Sequence, residues 1–185
     1  MAATPPVCDF EWPAVNATLP GVDGKSLPIF GQAGPKGLVV VFICNHCPYV
    51  KSVIHRIVRD ANDLKAEGVG FVAISSNDAE AYPEDSFENM KRFAAAHDFS
   101  FPYLYDDDQT VARTYGAACT PDFYGFNGDL KLQYRGRIDA SRREESSPDL
   151  RRDLYEAMKL VARTGKGPQD QVASIGCSIK WKEAA

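Results

Sequence analysis

The chain has 185 residues, enough for one domain with a sizeable core and too few for two ordinary ones. Hydrophobic residues make up 44% and charged residues 25%, a globular balance, and a formal net charge of -4 argues against nucleic acid or an anionic membrane surface as partner. No apolar run approaches membrane-spanning length and no leader segment opens the chain, so a cytoplasmic, reducing setting is expected, where five cysteines act as catalytic or free thiols rather than a disulfide framework.

Residues 1–36 read as an extended N-terminal arm, punctuated by Pro5, Pro6, Pro13, Pro20, Pro28 and Pro35. Within it, Val22-Asp23-Gly24-Lys25-Ser26-Leu27 predicts a tight hairpin turn. Cys8 in the arm reads as a small buried or free thiol. Leu38-Val39-Val40-Val41-Phe42-Ile43 follows, continuous and β-branched, the pattern of a strand buried on both faces.

Next comes Cys44-Asn45-His46-Cys47-Pro48, and then Val50, Val53, Ile54, Ile57, Val58, Ala61 and Leu64 at helical spacing, ended by Glu67-Gly68. A proline is tolerated in a helix only in the first turn, and Asn45 is the expected N-cap. Cys44 then lies at the helix mouth and Cys47 in its first turn, one turn apart and within reach of a disulfide. The free amides and positive end of the helix favour a thiolate there, and His46 would add a positive charge when protonated. Half of a zinc knuckle and a purely structural pair are the competing readings. No second CxxC or histidine pair follows at ligand spacing, with only Cys119 or Cys177 as remote ligands, so no metal or other cofactor is expected.

Val69–Ser76 predicts a second buried strand, completing a βαβ unit with a parallel pair. After a polar loop, Ser86 or Asp85 is expected to cap a helix carrying Phe87, Met90, Phe93 and Ala94, up to His97. His97 and His55 read as solvated histidines. Phe101–Tyr105 predicts a short strand. Asp106-Asp107-Asp108 reads as a cap, through Asp107 or Asp108, for a helix from Gln109 to Tyr115 closed by Gly116. Asn127-Gly128 predicts a hairpin between Phe123–Phe126 and Leu130–Ile138, with Pro121 at its entrance. A polar loop, Asp139 to Ser147, precedes a helix expected to open at Pro148, to turn Leu150, Leu154, Ala157, Met158 and Val161 inward, and to end at Gly165. The tail, 166–185, is expected to dock through Ile175-Gly176-Cys177-Ser178-Ile179-Lys180-Trp181.

This order of elements resembles the thioredoxin fold with an inserted βα unit over about residues 7–165. The resemblance implies a single α/β domain over 1–185, with a mixed central sheet, helices on both faces and an N-terminal extension. In that superfamily a cis-proline faces the CxxC, and Thr120-Pro121 occupies the matching place, which implies a substrate-positioning role for both. More closely, the Cys44–Val50 segment, Tyr82-Pro83-Glu84-Asp85-Ser86, Cys119-Thr120-Pro121-Asp122-Phe123 and Gly176–Lys182 together resemble the peroxiredoxin-like redoxin-domain proteins, related to the alkyl hydroperoxide reductase and thiol-specific antioxidant family. Cys44 stands where peroxiredoxins carry a threonine and Cys47 where they carry the peroxidatic cysteine. Arg113, Arg135 and Arg137 are the candidates for a peroxide-activating arginine. The tryptophan of thioredoxins is replaced by Ile43, and no acid lies in Leu38–Ile43.

These features imply a thiol–disulfide oxidoreductase acting on a dithiol or disulfide protein or a small-molecule thiol. Cys44 is expected to be the more exposed, attacking thiolate, Cys47 the resolving thiol and His46 the group that tunes them. A peroxide reductase is the alternative, with Cys47 oxidised and Cys44, Cys119 or Cys177 resolving it. A binding or metal-holding module without catalysis is the third. Cys119 and Cys177 are candidate accessory thiols.

Overall fold

The computed structural model describes residues 2–6, 8–142, 147 and 149–183. The arm opens with β1 (Ala2–Ala3), and the expected turn around Asp23-Gly24 joins β2 (Thr18–Pro20) to β3 (Ser26–Pro28), antiparallel and in register from Thr18↔Pro28 to Pro20↔Ser26. β4 (Gly37–Phe42) is buried along its whole length. It leads through the CxxC into α1 (Pro48–Ala66) and β5 (Val69–Ser75), whose end is tied to that of β4 by the Ile43 N–H donating to the Ile74 carbonyl at 2.9 Å. α2 (Phe87–Ala96) follows, then β6 (Tyr103–Tyr105), parallel to β5, and α3 (Thr110–Tyr115). β7 (Cys119–Thr120) runs through the Thr120-Pro121 peptide, which is cis, into β8 (Asp122–Asn127). β8 pairs antiparallel with β4 from Phe42↔Asp122 to Gly37↔Asn127, and the Asn127-Gly128 turn returns the chain as β9 (Leu132–Gly136). The central sheet therefore runs β9-β8-β4-β5-β6 and is mixed. α4 (Asp153–Thr164) and β10 (Gly176–Ser178) complete the chain.

β4 works as a divider because successive side chains of a strand point to opposite faces. Val39, Val41 and then Ile43 join one core with Val53, Ile54 and Ile57 of α1, Met90 of α2 and Leu154, Ala157 and Met158 of α4. Leu38, Val40 and Phe42 join the other with Val111, Ala112 and Tyr115 of α3, Leu19 and Ile29 of the arm and Ile179 of the tail. Helices thus cover both faces of the sheet, as the resemblance implied. No helix among the described residues is long and apolar enough to cross a membrane.

Three helix starts differ from expectation, each because a side chain outside the helix takes over. α1 begins at Pro48 with Cys47, not Asn45, as its N-cap, since Asn45 is held in the loop by other partners. α3 begins at Thr110, and its buried anchor is Asp106, whose carboxylate accepts the Val111 and Ala112 amides at 3.1 and 2.9 Å while Asp108 accepts only Thr110 at 2.9 Å. α4 begins at Asp153, after the Arg152 guanidinium has bonded Asp60 at 2.6 Å and Asp63 at 2.7 Å on α1. Leu150 lies before that helix, half-buried, and Pro148 falls outside the described residues. The tail docks as expected. Cys177 pairs with Thr120 and Ser178 with Cys119 across β10 and β7, and β1 flanks β10 on its other side.

Candidate active site

The CxxC lies where β4 stops and α1 starts, beneath β7 and β10. Cys44 and Cys47 are 1% and 0% exposed, so the expectation of a solvent-facing Cys44 does not hold. The packing of β7 and β10 over the CxxC is the reason, for Cys47 Sγ lies 3.1 Å from the Thr120 carbonyl and Cys44 Sγ 3.4 Å from Thr120 Oγ1. All five cysteines are free thiols.

Electrostatics divides the pair. The neighbouring Cys44 thiol, with the Thr120 side chain, Cys177 and the Val50 amide in the first turn of α1, outweighs desolvation and draws the Cys47 thiol down to about 5. The N-cap position adds the positive end of a 19-residue helix. Cys44 moves the other way, well above the ordinary thiol range, because of the neighbouring Cys47, its burial and the nearby Asp85 carboxylate. The two shifts run in opposite directions, with Cys47 the more readily deprotonated of the pair.

Asp85 organises the loop between the cysteines. It is fully buried, and its carboxylate accepts the Asn45 N–H at 2.8 Å, the His46 N–H at 3.3 Å, His46 Nδ1 at 2.6 Å and Asn77 Nδ2 at 2.7 Å. Asn45 is fixed further by Tyr103 Oη, which donates to its Oδ1 at 3.0 Å, and by the Glu84 carbonyl, which accepts from its Nδ2 at 3.0 Å. The His46 ring stacks on Tyr82, with centroids 5.8 Å apart and planes within 5°. Reading Asp85 as a helix cap missed this role. Its membership of the Tyr82–Ser86 motif was the one sign available in the sequence.

Cys44, His46 and Asp85 place one ligand-type atom each within 4.8 Å of one another. Two ligands on a tetrahedral zinc stand roughly 3.3 Å apart given bonds of about 2.0–2.1 Å. The 2.6 Å between His46 Nδ1 and Asp85 Oδ2 is shorter than that and is a hydrogen bond.

The remaining expected residues fall at different distances from the chemistry. Thr120 and Pro121 stand beside both sulfurs, and a cleft of about 280 Å³ adjoins Pro121, lined by Tyr49, Val53, Phe123, Arg137 and Ser174 among others. Cys119 is buried, its Sγ 3.5 Å from the Pro121 carbonyl, and burial pushes its thiol well above the ordinary range. Cys8 packs on the second core, and burial pushes it up to about 11. Each candidate arginine has a partner, and of the three Arg137 also lines the cleft beside Pro121. Arg113 lies over the Trp181 ring at 4.5 Å, Arg135 bonds Asp122 at 3.1 Å and the Gly116 carbonyl at 2.8 Å, and Arg137 bonds Asp153 at 2.7 Å. His55 is exposed on α1, and His97 ends α2 against Phe93.

The model of the AhpC/TSA family matches residues 10–137, which hold Cys44, His46, Cys47, Asp85, Thr120 and Pro121. The chain belongs to the AhpC/TSA family. This AhpC/TSA protein is also similar to two solved structures along nearly its whole length. An uncharacterized conserved protein from Geobacillus kaustophilus is 46% identical, with 100% of this chain and 98% of that chain covered and a TM-score of 0.94. A hypothetical protein from Sinorhizobium meliloti 1021 is 35% identical, with 98% and 99% covered and a TM-score of 0.92. The thioredoxin domain of a thiol-disulfide oxidoreductase from Bacteroides vulgatus is 16% identical, with 83% and 97% covered and a TM-score of 0.64, and shows the shared thioredoxin fold. No curated protein matches this chain in sequence.

Proposed function

We propose that this AhpC/TSA protein is a thiol–disulfide oxidoreductase, with the Cys44/Cys47 pair passing between dithiol and disulfide. The observation that carries the reading is the CxxC at the start of α1, with Cys47 at the N-cap and both sulfurs against Thr120, at 3.4 Å for Cys44 and 3.1 Å for Cys47; the downward shift of the Cys47 thiol, to about 5, supports it. A thiolate is the nucleophile of disulfide exchange, and the downward shift of Cys47 favours that form on it over Cys44. In the reductive direction the Cys47 sulfur forms a mixed disulfide with one half of the substrate and releases the other half as a thiolate. Cys44 then gives its proton to the departing sulfur, attacks Cys47 and leaves a Cys44–Cys47 disulfide. Two electrons pass to the substrate, which leaves as two thiols.

Asp85 is a positioning residue in this scheme. It holds the Asn45-His46 backbone and keeps the Cys44 proton in place. His46 shields the outer side of that carboxylate. Thr120 and Pro121 orient the incoming group, a disulfide-bearing protein or a small-molecule disulfide. A peroxide reductase would use the same Cys47 sulfur; Arg113 and Arg135 are engaged with Trp181 and Asp122, which leaves Arg137, bonded through Nε to Asp153 and lining the cleft beside Pro121, as the one candidate guanidinium near the site.

The test is oxidation of the fully reduced protein by glutathione disulfide, with the products mapped by mass spectrometry. The expected product is a Cys44–Cys47 bond with release of two glutathione thiols per chain, abolished by Cys47→Ser. Absence of that bond from the wild-type products overturns the reading.

A further inference from the structure

The catalytic pair is closed off, yet one cysteine beside it is less so. Cys44 and Cys47 are at most 1% exposed, whereas Cys177 in β10 is only partly buried, packed against the first core. Cys177 is the cross-strand partner of Thr120, the residue whose carbonyl lies 3.1 Å from Cys47 Sγ, so Cys177 and Cys47 both adjoin Thr120; burial, and then the neighbouring Cys47, push the Cys177 thiol up to about 11. Cys44, Cys47 and Cys177 are therefore grouped around Thr120, with Cys177 the least buried of the three.

The tail is held hard against the site. A Cβ on Gly176 would lie 2.1 Å from the Thr120 carbonyl oxygen, so glycine is what lets β10 approach this closely. Beyond Cys177, Ile179 is buried in the second core. The Lys180 N–H donates to Asn77 Oδ1 at 2.9 Å, and the Lys180 carbonyl accepts from the Asp78 amide at 2.8 Å and from Gln109 Nε2 at 2.8 Å. Lifting β10 to admit a substrate would break these contacts together. A route through Cys177 leaves them intact.

Resting on the disulfide-exchange reading above, we propose that Cys177 is the exchange thiol of a three-sulfur relay: an external disulfide reacts first at Cys177, and the bond passes to Cys47 and then to Cys44. Cys177 attacks one sulfur of the external disulfide, and its proton moves to the adjoining Cys47 thiolate. The displaced half leaves as a thiolate and takes that proton. Cys47 then attacks the Cys177 sulfur and expels the second half, which takes the Cys44 proton. Cys44 attacks Cys47 and releases Cys177 as a thiolate. One disulfide is reduced to two thiols and one Cys44–Cys47 bond is made. The substrate class is a disulfide small or extended enough to reach the β10 surface.

The probe is glutathione disulfide on the reduced full chain, followed by quenched mass mapping. In Cys44→Ser the relay stops one step short, so the internal product is a Cys47–Cys177 bond. In Cys177→Ser the Cys44–Cys47 bond still forms at equilibrium, but more than fivefold more slowly, with an unchanged circular dichroism spectrum. A smaller slowing, or a Cys47–glutathione adduct with free Cys177 in Cys44→Ser, overturns the relay. Either result leaves the parent reading standing as long as wild type forms the Cys44–Cys47 bond, so the two failures are distinguishable.

Discussion

Asp85 shows how much can turn on one side chain. A carboxylate at zero exposure must be solvated by the protein, and four donors from Asn45, His46 and Asn77 do this. Asp85→Asn keeps the shape but turns an NH₂ group toward donors. It is expected to cost roughly 1–3 kcal/mol in urea unfolding, the penalty for orphaned buried groups. It should also relieve the upward pressure on Cys44, whose thiol then falls toward its ordinary value. The thiolate assignment has its own signature. Ultraviolet thiolate absorbance should rise with pH through a step near 5, because the folded form of Cys47 holds its proton less tightly than an ordinary thiol. Cys47→Ser should erase the step. Cys44→Ala removes the largest favourable contact and should move the step to higher pH. These residue-level roles were only half legible in the sequence. The CxxC pattern announces the two sulfurs, but which one carries the charge depends on a hydrogen bond and on an aspartate about forty positions away.

Strands were easier to read than helix boundaries. Leu38–Ile43 and Val69–Ser75 stand out because β-branched runs of that length suit a doubly buried strand. The starts of α1 and α3 differ from the sequence expectation because their nearest polar residues are not the anchors, and α4 starts at Asp153 rather than at Pro148. The real anchors are Asp85 holding Asn45 in the loop, Asp106 reaching two turn amides and Arg152 reaching across to α1. Asp106→Ala is therefore expected to destabilise the protein by about 2 kcal/mol, read by thermal or urea unfolding, because it strips a cap and leaves buried amides unpaired. The same scale governs the ribbon of β1, β10 and β7. Gly176→Ala should push β10 from Thr120, so iodoacetamide modification of Cys47 should become faster than in wild type.

At the scale of the whole molecule, β4 divides two cores, and its alternation was hidden in the sequence because every residue of the strand is apolar. Only partners on both faces reveal which side chain serves which core. Phe42 packs edge-on against Tyr115 and Tyr124, at 5.6 and 5.8 Å between centroids. Phe42→Ala should cost about 3–5 kcal/mol in equilibrium unfolding through the cavity it leaves. The tail was foreseen to dock, yet its register against Thr120 was not, since a three-residue strand has no periodicity to read. That late strand has a consequence for how the protein is made. Synthesis runs from the N-terminus and early segments fold as they emerge. Cys44 and Cys47 leave the ribosome long before residues 176–178, so a nascent chain exposes both sulfurs to bystander thiols until β10 arrives to roof them over.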